Sequence, residues 1–209
     1  MLVVLLRKLD LKLASASIPL LERMVEELLR WKPRRNLTAI TDRDEVLEKH
    51  LVDSLTLLPF ARQSTRLLDI GSGAGFPALP LKIVCPELEV VSVDAVGKKI
   101  DFQRHVVRTL GLQGFTALHA RIETLTDYHA GFDLVTARAL CSLVDLVALA
   151  EPFLAPGGRL VAMIGPEGSR EFSEQQEPLK QAGWSAVLHR LNLPLSGAER
   201  CLIELTPQG

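Results

Sequence analysis

Leu67-Leu68-Asp69-Ile70-Gly71-Ser72-Gly73-Ala74-Gly75-Phe76-Pro77 is the stretch on which the fold turns. Leu67 and Leu68 continue an apolar strand, and Asp69 interrupts it where the strand should emerge at the carboxyl edge of a sheet. Glycines at 71, 73 and 75 then allow a tight turn and a close backbone approach to a ligand. The next apolar run, Val90 to Val93, ends at Asp94, 23 residues beyond Gly71. A carboxylate there can accept both hydroxyl hydrogens of a ribose.

Two ligand classes compete for such a loop. A nicotinamide dinucleotide wants GxGxxG with a helix starting at once, so that the pyrophosphate sits on the helix N-terminus. Here the spacing is GxGxG, and Phe76, Pro77 and Pro80 delay the helix. S-adenosylmethionine carries no phosphate and needs no such helix end, so the spacing favours it. A merely tight strand-to-helix turn is the structural alternative.

Outward from the loop, short apolar runs alternate with helical stretches. Strands are predicted at Arg66 to Ile70, Leu88 to Asp94, Phe115 to His119, Asp133 to Ala137, Arg159 to Ile164, Ala186 to Leu191 and Arg200 to Leu205. Helices are expected at Leu79 to Val84, Lys98 to Leu110, Leu143 to Phe153 and Glu171 to Ala182. This alternation predicts an α/β protein, a mostly parallel sheet covered on both faces. The missing helix before the last strand predicts a terminal hairpin and one antiparallel strand. Upstream, Ile18 to Trp31 has the periodicity of an amphipathic helix expected to end at Pro33, and a second helix is expected from Asp42 to Pro59. These give an N-terminal helical cap over residues 1–62 on a core of residues 63–209.

The 209 residues are 47% hydrophobic and 23% charged with a formal net charge of −1, ordinary for one soluble domain. Met1 to Leu6 is too short to span a membrane and lacks the flanks of a signal peptide, so a cytoplasmic protein is expected. Cys85, Cys141 and Cys201 lie too far apart for a disulfide framework or metal knuckle, and no metal site is expected. The net charge gives no global attraction to nucleic acid. Two local patches remain, Arg30, Lys32, Arg34 and Arg35, then Lys98, Lys99, Arg104, His105 and Arg108; for either one alone a solvated surface is the favoured reading, so charge by itself decides nothing.

Asn36-Leu37-Thr38, His50 with Asp53-Ser54, Leu68 to Pro77, Asp94 with Gly97-Lys98-Lys99, Arg121 with Glu123, Arg138-Ala139 and Glu199-Arg200 together resemble the bacterial 16S ribosomal RNA guanine-N7 methyltransferases, also called glucose-inhibited division protein B. The likeness covers nearly the whole chain from about residue 20. It implies a seven-stranded class I, Rossmann-like methyltransferase fold, S-adenosylmethionine as donor, and N7 of one guanine in 16S ribosomal RNA, bare or in the small subunit, as acceptor. It implies a cofactor site of Gly71, Gly73, Phe76, Asp94, Ala95, Val96, Ile122, Glu123 and Arg138, and a substrate or cap role for Asn36, His50, Asp53 and Arg200. A monomer is expected. The chain departs from the family at Ile164, where a lysine commonly precedes the glycine, at Cys201, where a histidine commonly follows the arginine, and at Lys32, where Trp-Asn is common.

Guanine N7 has an exposed lone pair, so its methylation needs no general base and rests on alignment and exclusion of water. Arg138 is the expected positioning residue, holding the methionine carboxylate or donating to guanine O6; a surface ion pair is its structural alternative. His50 and Asp53, i and i+3 on one helix, read as a buried hydrogen-bonded pair or as part of a closing cap. Cys141 invites thiolate attack on a base, but Ala139-Leu140 precedes it instead of a rigid proline, which argues against that role. Phe76 is placed either to stack on a base or to pack against the cofactor. A small-metabolite methyltransferase and a non-catalytic nucleotide- or RNA-binding module are the competing functions.

Overall fold

A computed structural model describes the chain apart from Asn36, Thr41, Ala139 and Gly209, and apart from the side chains of residues 32–35. The N-terminal part is helical: α1 (Leu2–Lys8), α2 (Ser17–Arg35), α3 (Arg43–Val46), a π-helical segment (Leu47–Val52), α4 (Asp53–Leu55) and α5 (Leu58–Ala61). In α1, Leu2, Leu5 and Leu6 are buried at the i, i+3, i+4 spacing of one stripe, a helix that the sequence reading left out. α2 passes Pro33 and ends at Arg35, where an end at the proline was expected. A proline's φ is helical and its missing N–H costs one bond, which the end of a long helix tolerates better than its middle.

Asp42 caps α3 by accepting from the Asp44 and Glu45 amides. The single helix expected to run on to Pro59 is interrupted. Thr56 and Leu57 close tight turns onto Asp53 and Ser54, and Pro59, lacking an N–H, starts a new helix.

The rest alternates as expected: β1 (Arg66–Ile70), α6 (Ala78–Val84), β2 (Glu89–Asp94), α7 (Gly97–Leu110), β3 (Phe115–His119), β4 (Phe132–Arg138), α8 (Leu143–Ala150), β5 (Leu154–Ile164), α9 (Gly168–Gln181), β6 (Trp184–Asn192) and β7 (Glu199–Pro207). The seven strands run in the order β3-β2-β1-β4-β5-β7-β6. β7 is antiparallel to both β5 and β6, and the other pairings are parallel.

Alternation along β1 serves both faces. Leu68 and Ile70 join the core that α8 covers, whereas Leu67 joins the one with Ala78 and Leu81 of α6. The cap has no core of its own: Leu21, Met24 and Leu28 of α2 share a cluster with Phe102 and Val106 of α7. The chain leaves β1 toward β2 and β3, then returns to β4 on the other side. The crevice outside the carboxyl ends of β1 and β4 is therefore the switch point where ligands bind in such sheets.

Candidate active site

The glycine loop follows β1 into this crevice with positive φ at Gly71, Gly73 and Gly75. At Gly75 a Cβ would lie 2.5 Å from Leu79 Cδ1, so only glycine lets α6 pack this closely; at Gly73 a Cβ would meet nothing within 4 Å, because that side of the loop is open. The loop is held from beneath by a buried polar network. The Gln103 amide donates to Ser72 Oγ and to the Gly73 carbonyl, each at 2.8 Å. Ser92 Oγ donates to Gln103 Oε1 at 2.6 Å and lies 2.6 Å from Ser72 Oγ. Sequence reasoning missed both residues. Their signal was a serine inside the apolar run of β2 and a glutamine on the stripe that also carries Ile100 and Val106.

Asp94, nearly buried, closes β2. Its Oδ2 accepts from the Gly73 amide and its Oδ1 from the Val96 amide, both at 2.8 Å, and Lys99 Nζ lies 3.8 Å away. The two amides fix the carboxylate, and each oxygen keeps a further lone pair for a ribose hydroxyl. A cavity of about 390 Å³ opens in front of it, lined among others by Gly71, Asp94, Ala95, Ile122, Glu123 and Leu140. Gly73, Phe76, Val96 and Arg138 are not in that lining. An acid at the ribose position, apolar Ile122 and Leu140 about a flat ring, and an open glycine backbone fit the adenosine part of S-adenosylmethionine.

Asp69 is fully buried in β1. Its Oδ2 accepts from the Ala78 amide at 3.2 Å, while Oδ1 is the buried side-chain oxygen left without a partner among the described residues. Burial pushes its carboxyl up to about 7, Asp94 adding to the rise and Ala78 and Arg138 opposing it.

Beside the crevice the cap completes a polar cluster. His50 Nε2 lies 2.7 Å from Thr38 Oγ1, and Arg138 Nη1 lies 3.4 Å from His50 Nδ1. An arginine only donates, so Nδ1 accepts and Nε2 carries the proton toward Thr38. This tautomer suits a neutral ring: burial, then Arg138, lowers the His50 pKa to about 4. Asp53 takes Arg200 Nε at 3.0 Å and faces Arg138 Nη1 at 4.0 Å. His50 and Asp53 are thus joined through Arg138, an arginine 88 and 85 residues distant in sequence. The π segment that carries His50 widens the turn ahead of Asp53.

Phe76 is buried, its ring 5.0 Å from that of His50 in a stacked pair, so it packs the cap onto the loop and offers no face to a base. Asn36 lies outside the described residues. Two members of the basic patch on α7 are structural: Arg104 donates to the Ala117 carbonyl and His105 meets Glu27 at 2.9 Å. Arg30 of the other patch pairs with Glu27. The Cys141 thiol is pushed up by burial, with Asp145 and Glu171 adding to the shift, the reverse of what a thiolate nucleophile needs.

The model of the family "rRNA small subunit methyltransferase G" matches residues 17–190, which takes in α2, Thr38, His50, Asp53 and Arg138 of the cap cluster, the glycine loop and the crevice. The chain belongs to this family. Members of the rRNA small subunit methyltransferase G family that it resembles include "Ribosomal RNA small subunit methyltransferase G" of Syntrophotalea carbinolica, 51% identical over 91% of this chain and 91% of that one. The protein of the same name from Geobacter sp. (strain M21) is 49% identical over 94% and 91%. Among solved structures, a SAM-dependent methyltransferase from Aquifex aeolicus superposes with a TM-score of 0.60 at 17% identity, covering 77% of this chain and 92% of that one. That likeness shows a class I methyltransferase fold.

Proposed function

We propose that this protein transfers the methyl group of S-adenosylmethionine to N7 of one guanine in 16S ribosomal RNA. The observation that carries the substrate is the family match across both cap and core. The cavity before Asp94 supports the donor.

In this reading Gly71, Asp94, Ala95, Ile122 and Glu123 hold the adenosine half of the donor, whose sulfonium supplies an electrophilic methyl, and Gly73 fixes the Asp94 carboxylate. Arg138 is oriented by His50 and Asp53 and keeps its other guanidinium donors for the methionine carboxylate or guanine O6. Neutral His50 adds no second positive charge beside it. No residue has to remove a proton, so catalysis consists of alignment and exclusion of water. Residues 1–62 act as that cap and 63–209 as the core. A monomeric, cytoplasmic enzyme is part of the same proposal, and no described helix is long and apolar enough to cross a membrane.

The test is methyl transfer from tritiated S-adenosylmethionine to small ribosomal subunits, deproteinised 16S RNA and a metabolite pool. Label in RNA, mapped to one guanine that stays unmodified in cells lacking the protein, is expected; label confined to metabolites would overturn the reading.

A further inference from the structure

A second cavity, of about 230 Å³, lies at the carboxyl ends of β4 and β5, and Leu140 and Cys141 form the wall it shares with the donor cavity. Ala137 and Ala162 line it with small groups, and Glu167 and Glu171 bring carboxylates to it. The two acids differ. Glu171 Oε1 accepts from the Leu143 amide at 3.0 Å and from Gln175 at 3.2 Å, bracing the start of α8. Glu167 is exposed and turned back over Gly165, where a Cβ would lie 3.1 and 3.2 Å from its carboxylate oxygens; its carboxylate, open to solvent, meets no hydrogen-bond donor or cation among the described residues.

An ionised carboxylate only accepts, and two parallel donors suit it best. Guanine offers such a pair, N1–H and the 2-amino group, on the edge opposite N7. Adenine would set its N1 lone pair against the same oxygens. Ala137 and Ala162, with the larger Leu146 and Ile164, give apolar walls suited to the faces of a flat base.

We infer that the second cavity holds the target guanine and that Glu167 reads its N1–H and 2-amino edge, turning N7 toward the donor; this rests on the function proposed above. In the transfer, the N7 lone pair forms the new N–C bond and the C–S bond breaks with its electron pair going to sulfur. No proton moves, and the positive charge passes from sulfonium to the purine. The Glu167 carboxylate therefore attracts the base more strongly as the methyl arrives, which raises kcat as well as selectivity.

The experiment compares RNA carrying guanosine or inosine, which lacks the 2-amino group, at the mapped position, with parent protein and Glu167→Ala. Loss of the charged hydrogen bonds should lower kcat/KM on guanosine by about 10- to 100-fold, while the Kd for S-adenosylmethionine stays within about twofold. The parent should lose about tenfold on passing from guanosine to inosine, and Glu167→Ala should lose nothing further. An equal inosine penalty in both proteins, or full activity of Glu167→Ala on guanosine, overturns the inference alone. A parent that methylates no RNA overturns the function beneath it.

Discussion

Replacing Gln103 with leucine removes the amide that ties the glycine loop to α7 while keeping most of the volume. Three buried partners are affected: the Gly73 carbonyl, Ser72 Oγ and Ser92 Oγ. Ser92 can turn its proton to Ser72 Oγ, already 2.6 Å away, so the uncompensated loss falls mainly on the Gly73 carbonyl and on one lone pair of Ser72. At about 1–3 kcal/mol for each buried group left without its partner, the variant should lose about 2–4 kcal/mol of folding stability. The loop has a second dependant, because Gly73 donates to Asp94 Oδ2. Loosening that bond disorders the ribose carboxylate, and affinity for S-adenosylmethionine should fall by about tenfold or more. Urea unfolding at an unchanged slope gives the first quantity and titration calorimetry the second. A loss below about 1 kcal/mol with unaltered affinity would refute the view that Gln103 sets the loop.

In Asp94→Asn the side-chain amide must face the Gly73 or Val96 N–H, donor against donor, and the charge is gone; S-adenosylmethionine affinity should drop by about 10- to 100-fold, and an unchanged Kd by calorimetry would count against the ribose role. Asp69 has its pKa raised from the ordinary 3.8 to about 7, so the folded state keeps a proton that the unfolded state gives up. Its contribution is complete below about pH 4 and is lost as pH rises through 7; urea stability of the parent relative to Asp69→Asn should therefore fall by roughly 4 kcal/mol between pH 4 and 8, and a flat difference would exclude the effect. Asp53→Ala leaves Arg138 and Arg200 without their shared carboxylate; with both guanidiniums partly hydrated, the expected loss is about 1–3 kcal/mol, read by urea unfolding, and an unchanged stability would show that the carboxylate does not hold the two arginines.

The order of strands and helices was legible because each element carries its own period: Val90 to Val93, Leu134 to Ala137 and the stripe of α7 are local signals. The cavity before Asp94 was legible for a related reason, since the glycine loop, Asp94, Ala95 and Ile122 all sit at strand ends whose positions follow from topology. What stayed hidden was non-local. Nothing near His50 reveals that Arg138 will approach it, and the widened turn at Leu47–Val52 has no composition of its own. Phe76 read as a loop aromatic, and only the arrival of His50 from the cap shows that it is buried. Gln103 was passed over because helix periodicity scores a glutamine as a break in the apolar face, although a polar residue there is what a buried network requires.

The cap grips the last hairpin at two places. Glu48 accepts from the Leu195 and Ser196 amides in the turn between β6 and β7, and Asp53 holds Arg200 as β7 begins. Both partners of each pair are separated by about 147 residues of chain. At 5–20 residues per second of synthesis, Asp53 is made about 7–30 s before Arg200. Until then the growing chain has the glycine loop and the donor cavity but an unfinished wall beside Arg138. The arginine cluster is complete only once Arg200 has been made, so a truncated product ending before Glu199 should retain the parts proposed to bind adenosine and lack the assembly proposed to position an acceptor.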